Sequence, residues 1–180
     1  MSGVEHSVSF QTIANRSNEV EKDMHLHPYD RSKIGCERTD LTLCIYPKSL
    51  PVSEITALLG LTPTSAVDAG DTVTHPRSGR SRIAQVSNWL LKSERHVDSL
   101  DIRDHLDWLL ALLEPVGDAV RKLGQMPDTT ITVRCIWWAS PTGGGPTLWP
   151  KQMRQLADLD LECAFSLSDY NAPDPDIEPL

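Results

Sequence analysis

The chain has no Cys-x-x-Cys pair, no apolar stretch long enough for a bilayer, no nucleotide-binding glycine signature and few aromatic residues. Each shortage removes a class of function. The longest apolar run, Trp108 to Leu113, falls far short of the ~20 residues that a membrane-spanning helix needs. Residues after Met1 are polar and mixed in charge, so no secretory hydrophobic segment is expected. The four cysteines, Cys36, Cys44, Cys135 and Cys163, lack finger-type spacing. Reduced thiols and a cytoplasmic address are therefore expected. A formal net charge of −8 repels phosphate backbones, which argues against a nucleic-acid partner.

The composition that remains is that of a globular chain. Hydrophobic residues make up 39% and charged residues 23% of 180, enough for one core plus extensions. Residues 1–38 lack sustained periodicity and read as a mobile or variably packed N-terminal extension. Residues 39–170 carry the domain. Residues 171–180, NAPDPDIEPL, are an acidic proline-rich tail.

Within the domain, Leu41, Leu43 and Ile45 alternate with Thr42, Cys44 and Tyr46 as a strand that Pro47 stops. Pro51 pre-sets a helix carrying Ile55, Leu58 and Leu59, and Gly60 ends it. A loop runs from Thr62 to about Arg82, followed by a strand from Ile83 to Lys92. Ile102, Leu106, Leu109, Leu110 and Leu113 mark a helix over about 98–113, restarted after Pro115 and closed at Gly124. Thr129 to Trp138 is the strongest strand, with Ile131, Val133, Cys135 and Trp137 on one face. A helix from Pro150 and a strand over Leu161 to Ser168 complete the order. Two β-α-β halves predict an α/β fold, an α+β two-layer sandwich. Its four-stranded sheet would carry helices on one face, ferredoxin-like with an extra helix between the halves. Leu43, Val133, Cys135, Phe165, Leu106, Leu109 and Leu113 should share its core.

The stretch LPVSEITALLGLTPT, then Gly70, NWLLKS, HLDWLLALLEP and QLADLDLECAFSLSDY, resembles a bacterial family known as domain of unknown function family 4279. The resemblance spans about Asp40 to Tyr170. It consists of helix-entry, glycine and tryptophan landmarks and implies the fold. It contains no catalytic motif, so it carries over no functional residue.

Reactive chemistry finds little support in the residues themselves. His25 and His27 form an H-x-H pair with His6 and Cys36 on either side, yet no complete zinc spacing follows, and no metal is assigned. No G-x-S-x-G elbow is present, and Cys135 and Cys163 fall on the core face, whereas Cys44 would be exposed on the other. Asp101, Asp104 and Asp107 recur at helical spacing as a solvated acidic face. Gly143, Gly144 and Gly145 lack a P-loop's lysine and read as a flexible connection. No cofactor is implied.

Two features favour recognition instead. Arg77, Arg80, Arg82, Lys92 and Arg95 face one acid, Glu94, between His75 and Arg95, a local inversion of sign in an acidic chain. They either pair with the protein's own acids or engage an acidic partner or ligand. Arg134 and Trp138 share the open sheet face with Tyr46, Thr42 and Ala164, a composition typical of recognition surfaces. On the long helix, Trp108 and Leu112, with His105 adjacent, fall off the core stripe. They either contact a second copy or partner, or are further core.

The reading is a non-catalytic protein-binding module, with immunity-type antidotes as an analogy of class only. The alternative is an enzyme or ligand-binding protein that holds an anionic small molecule at the arginine loop. Thiol titration of the freshly purified, denatured, unreduced protein counts the free cysteines. Four reactive thiols are expected per chain, whereas two would mean a native disulfide and an oxidising compartment.

Overall fold

The computed structural model describes residues 35–141 and 143–169. The terminal tail and most of the N-terminal extension, including His6, His25 and His27, lie outside the described residues.

The first strand, β1 (Cys36–Pro47), leads into helix α1 (Val52–Leu59). Pro51 is the N-cap of α1 and Gly60 closes it at φ 62, a left-handed position that glycine adopts without steric cost. The stretch expected to be a plain loop instead holds three short strands: β2 (Ser65–Val67), β3 (Thr72–Thr74) and β4 (Ser81–Ile83). Strand β5 is confined to Asn88–Lys92. Helix α2 (Ile102–Leu113) starts later than the expected position near residue 98, because Asp101 is its N-cap. A 3-10 turn at Glu114–Val116 absorbs Pro115, and α3 (Gly117–Gly124) follows. The described residues then run through β6 (Thr129–Ala139), α4 (Pro150–Asp158) and β7 (Glu162–Asp169).

Five strands form the main sheet in the order β2-β5-β1-β6-β7, and β3 and β4 pair as a separate ribbon. The four-stranded, ferredoxin-like expectation is corrected on two counts. First, β2 adds a fifth strand at the β5 edge. Secondly, the two halves are not alike. Strands β1 and β2 both run antiparallel to β5, so β1-α1-β2 is a parallel unit with β5 inserted between its strands. In the other half β6 and β7 are parallel direct neighbours, with α4 as their crossover. The physical reason for the first miss is length. Three residues of Ser-Ala-Val in a polar stretch carry no measurable alternation.

Strand β1 sits in the middle, and both its edges are paired. Leu41, Leu43 and Ile45 oppose Cys135, Val133 and Ile131 of β6 on one face, and Leu43 and Ile45 oppose Leu91 and Trp89 of β5. These residues, with Ile55 and Leu59 of α1, Leu106, Leu109 and Leu113 of α2, Leu123 of α3 and Leu156 of α4, form one core. The helices therefore pack on that face, as the two-layer expectation requires. Trp89 is fully buried, and its indole N–H donates to Thr56 Oγ1 at 3.0 Å, so the ring is packed and its polar atom satisfied. Phe165 departs from expectation. It lies on the core-facing side but is 38% exposed, and Leu167 beside it is 65% exposed. Both belong to the outermost described strand on that side, where the helix layer leaves the second half of β7 uncovered. Cys44, expected to be exposed, is buried and donates to its own strand at Thr42 O.

The triglycine is a close-contact site rather than a loose connection. A Cβ on Gly35 would sit 1.7 Å from Gly143 O, while Gly143 and Gly144 hold φ values of 78 and 121. Ser140 N donates to Gly35 O, and the Trp137 indole donates to Gly144 O at 3.3 Å.

Leu109 is fully buried at the centre of the α2 stripe. Leu109→Ala should cost ~2–5 kcal/mol of stability in urea denaturation. A parent-like midpoint would contradict the assignment of this helix face to the core.

Candidate functional site

The register defines two ends of the sheet. At one, Tyr46 opposes Thr130; at the other, Arg38 opposes Trp138. At ~3.3 Å per residue these ends lie roughly 26 Å apart. Arg134 lies between them, opposite Thr42 on one side and Ala164 on the other, on the same face as Tyr46 and Trp138.

The β3–β4 ribbon stands at the Tyr46 end. An open cleft of 720 Å³ separates it from the sheet, lined by Tyr46, Ser65, Thr72, Arg82 and Asn88 among others. Asp71 also lines this cleft. Val73 pairs with Arg82, and His75 N donates to Arg80 O, so His75, Arg80 and Arg82 share one ribbon face. A second cleft, of 470 Å³, is lined by His75, Ser78, Arg80, Ser81 and Arg82, with no carboxylate. The His75 ring accepts at Nδ1 from the backbone N–H groups of Arg77 and Ser78, at 3.3 and 3.2 Å. Its neutral form therefore carries the proton on Nε2, as a further donor.

Arg77, Arg80 and Arg82 are exposed, and none forms an ion pair with a described residue. Of the two readings open for this basic stretch, pairing with the chain's own acids is thus not seen for these three among the described residues. Elsewhere in the stretch, Glu94 pairs with Arg38 at 3.6 Å.

The remaining candidates lie apart from the ribbon. The Trp138 ring has the Arg38 guanidinium 5.8 Å from its centroid, and Arg38 also bridges to Asp40. Arg80, Arg82 and Trp138 do not converge on one pocket. Trp108 is half-buried against the core and stacks on His96, with centroids 5.0 Å apart and planes at 15°. Leu112 is likewise half-buried against the core. His105 is 1% exposed and presents no surface.

His105 belongs to a buried polar network that sequence reasoning missed. Its Nδ1 lies 2.7 Å from Ser93 Oγ and its Nε2 lies 2.9 Å from Ser99 O. A carbonyl only accepts, so Nε2 carries the proton, and in the neutral ring Ser93 donates to Nδ1. Ser93 Oγ in turn accepts from Leu41 N at 2.9 Å. This resembles a nucleophile–base dyad, yet Ser93 is fully buried and its hydroxyl meets only internal groups, His105 Nδ1 and the backbone N–H and C=O of Leu41. Its work is to tie the start of α2 to β1. Beside it, Asp101 accepts from Arg103 Nε at 2.7 Å and Nη2 at 2.5 Å, and caps the helix by accepting from Arg103 N. The Arg103 guanidinium lies 4.3 Å from the Trp149 ring centroid, and Gln152 of α4 donates to Arg103 O and Asp107 Oδ1. Of the three acids read as a solvated face, Asp101 is instead a buried cap, whereas half-buried Asp104 accepts from Ser99 and Asp107, exposed as expected, accepts from Gln152. The physical reason is Arg103, which neutralises Asp101 within the fold. The signal available in the sequence was the Asp-x-Arg spacing at a helix start.

Among the described residues no group of His, Cys, Asp or Glu is arranged to hold a metal ion. No helix among them is long and apolar enough to cross a membrane. Tyr46 has a shifted ionisation. Burial pushes its phenol above the ordinary 10.0, the Cys44 thiol pushes the same way, and Arg134 pulls it back. A raised acid pKa means the fold disfavours the phenolate. This contribution to stability is complete below the unfolded pKa and is lost as pH rises through the folded one. The difference titration between the parent and Tyr46→Phe should show a phenol ionising above pH 10.0. A value at or below that pH would mean Tyr46 is not held in the cleft wall as described.

The geometry is joined by one family match. The family model described as Domain of unknown function (DUF4279) matches residues 36–170, which takes in β1 through β7. No curated protein and no solved structure matches the chain. With well over half its length matched, the chain belongs to the DUF4279 family.

Proposed function

We propose that this chain is a non-catalytic protein-binding module that engages an acidic segment of its partner through the β3–β4 ribbon. One observation carries the reading: Arg77, Arg80 and Arg82 are exposed on a ribbon projecting beside the sheet, unneutralised by any described residue, in a chain of net charge −8. Arginine forks left without internal carboxylates are ready to meet external ones. The two clefts flanking the ribbon are open rather than enclosed, which suits a protein surface better than a small molecule that must be largely buried to bind. The nucleophile-like pair Ser93–His105 is sealed in the core, so it offers a substrate nothing. Immunity-type antidotes are one class of module that works by such contacts; the likeness is one of class alone.

A second reading has an observation of its own. The 470 Å³ cleft gathers His75, Arg80 and Arg82 with the hydroxyls of Ser78 and Ser81 and without an acid, a donor set that also suits a small anion.

Calorimetric titration separates the two. The probes are an oligoglutamate peptide and inorganic phosphate, each against the full chain and its R80E/R82E variant. The peptide should bind the parent, weaken about tenfold or more with both charges reversed, and weaken further with added salt. Peptide binding that ignores the substitutions or the salt would remove the ribbon from the account. Phosphate binding as tightly as the peptide would favour the small-anion reading.

A further inference from the structure

On the helix-covered face of the sheet, β6 and β7 bring two thiols together. Cys163 aligns with Val133, and Cys135 with Phe165, so the cysteines are diagonal neighbours on one face of adjacent parallel strands. Their sulfurs lie 3.8 Å apart. Cys135 is fully buried, whereas Cys163 is half-buried on the outermost described strand of that side.

We propose that Cys163 is an oxidation site and Cys135 its resolving thiol, so that a hydroperoxide converts the pair reversibly into a disulfide joining β6 to β7. The asymmetry of the pair assigns the roles. Solvent reaches the Cys163 side chain, and with that more accessible thiol ionised the Cys135 S–H, 3.8 Å away, donates to its sulfur. That hydrogen bond holds Cys163 below the ordinary thiol range against the opposing effects of burial and Glu162. The same bond, with burial, pushes Cys135 up. A thiolate is the attacking species in such chemistry, and a thiol held protonated beside it waits for the second step.

The steps balance. The Cys163 thiolate attacks one peroxide oxygen, the O–O bond breaks, and hydroxide leaves with the electron pair, giving a sulfenic acid on Cys163. The Cys135 sulfur then attacks the Cys163 sulfur, the S–O bond breaks, and the departing hydroxide takes the Cys135 proton as water. The two thiols are oxidised by two electrons, and the peroxide is reduced to water.

The register adds a consequence. Diagonal neighbours lie about 7–8 Å apart at Cα. A disulfide spans ~4.4–6.8 Å. Closing the bond therefore shifts β7 along or toward β6. Strand β7 can move at the cost of one ladder, because β6 is its only partner among the described strands. The other two cysteines have no such arrangement. Cys36 and Cys44 are buried and donate to carbonyls of their own strand, Arg38 O and Thr42 O, and burial pushes the Cys36 thiol up.

The test is peptide mapping of the folded full chain after mild treatment with hydrogen peroxide, with and without later dithiothreitol. A Cys135–Cys163 linked peptide should appear in most molecules, vanish on reduction, and leave Cys36 and Cys44 free. In Cys135→Ser, oxidation should stop at a sulfenic acid on Cys163 that dimedone traps. The parent alone decides the matter if that variant fails to fold. Parent protein that keeps both thiols free, or that over-oxidises Cys163 without forming the link, overturns the proposal.

Discussion

The unit depends on β1 being paired along both edges. Its antiparallel ladder to β6 runs from Cys36 to Pro47, and β5 takes the other edge between Thr42 and Ile45. That double pairing fixes which face Leu41, Leu43 and Ile45 present, and a slip of one residue would turn all three away from the helices. The helices follow from it. Buried leucines of α2 and α3 need a continuous apolar floor, and β1, β5 and β6 supply it. Polar locks then set where α2 starts: Ser93 and His105 tie it to β1, and the Asp101–Arg103 pair caps it. Burying these charges is tolerated because each finds a partner within the same turn of chain.

The sheet separates two kinds of surface. Around the Arg38 end, charged groups pair with one another, as Arg38 does with Asp40 and Glu94. At the Tyr46 end, the long connection between α1 and β5 leaves the sheet and forms a ribbon whose arginines form no ion pair with a described residue. The core is closed without the ribbon, which pairs as a separate two-stranded sheet. Such a division is what a recognition loop on a rigid frame requires.

What the sequence made legible follows from period and length. The α2 stripe and the alternation of β6 were readable because each repeats over enough residues to show its geometry, and the ends of α1 because Pro51 and Gly60 mark helix termini by their own backbone preferences. Strand β2 was not, since three residues hold no period. The ferredoxin-like topology failed for a different reason. Element order alone does not say whether the parallel strands of a β-α-β unit are adjacent, as β6 and β7 are, or separated, as β1 and β2 are by β5. Of the candidate residues, Arg82 and Tyr46 came together in one cleft, whereas Trp138 lies at the far end of the strand. His105 looked like surface by helical angle but is drawn inward by Ser93, whose position depends on a neighbour distant in sequence. No one-dimensional pattern carries that.

Mapping amide chemical shifts of the full chain during titration with an oligoglutamate peptide tests the central claim most directly, because it reports where contact occurs. The account predicts shifts concentrated on the ribbon, residues 72–83, and spreading to Tyr46 and Asn88 across the cleft. Shifts centred on Phe165 and Leu167 of β7, or around Trp138, with the ribbon unmoved, would contradict it.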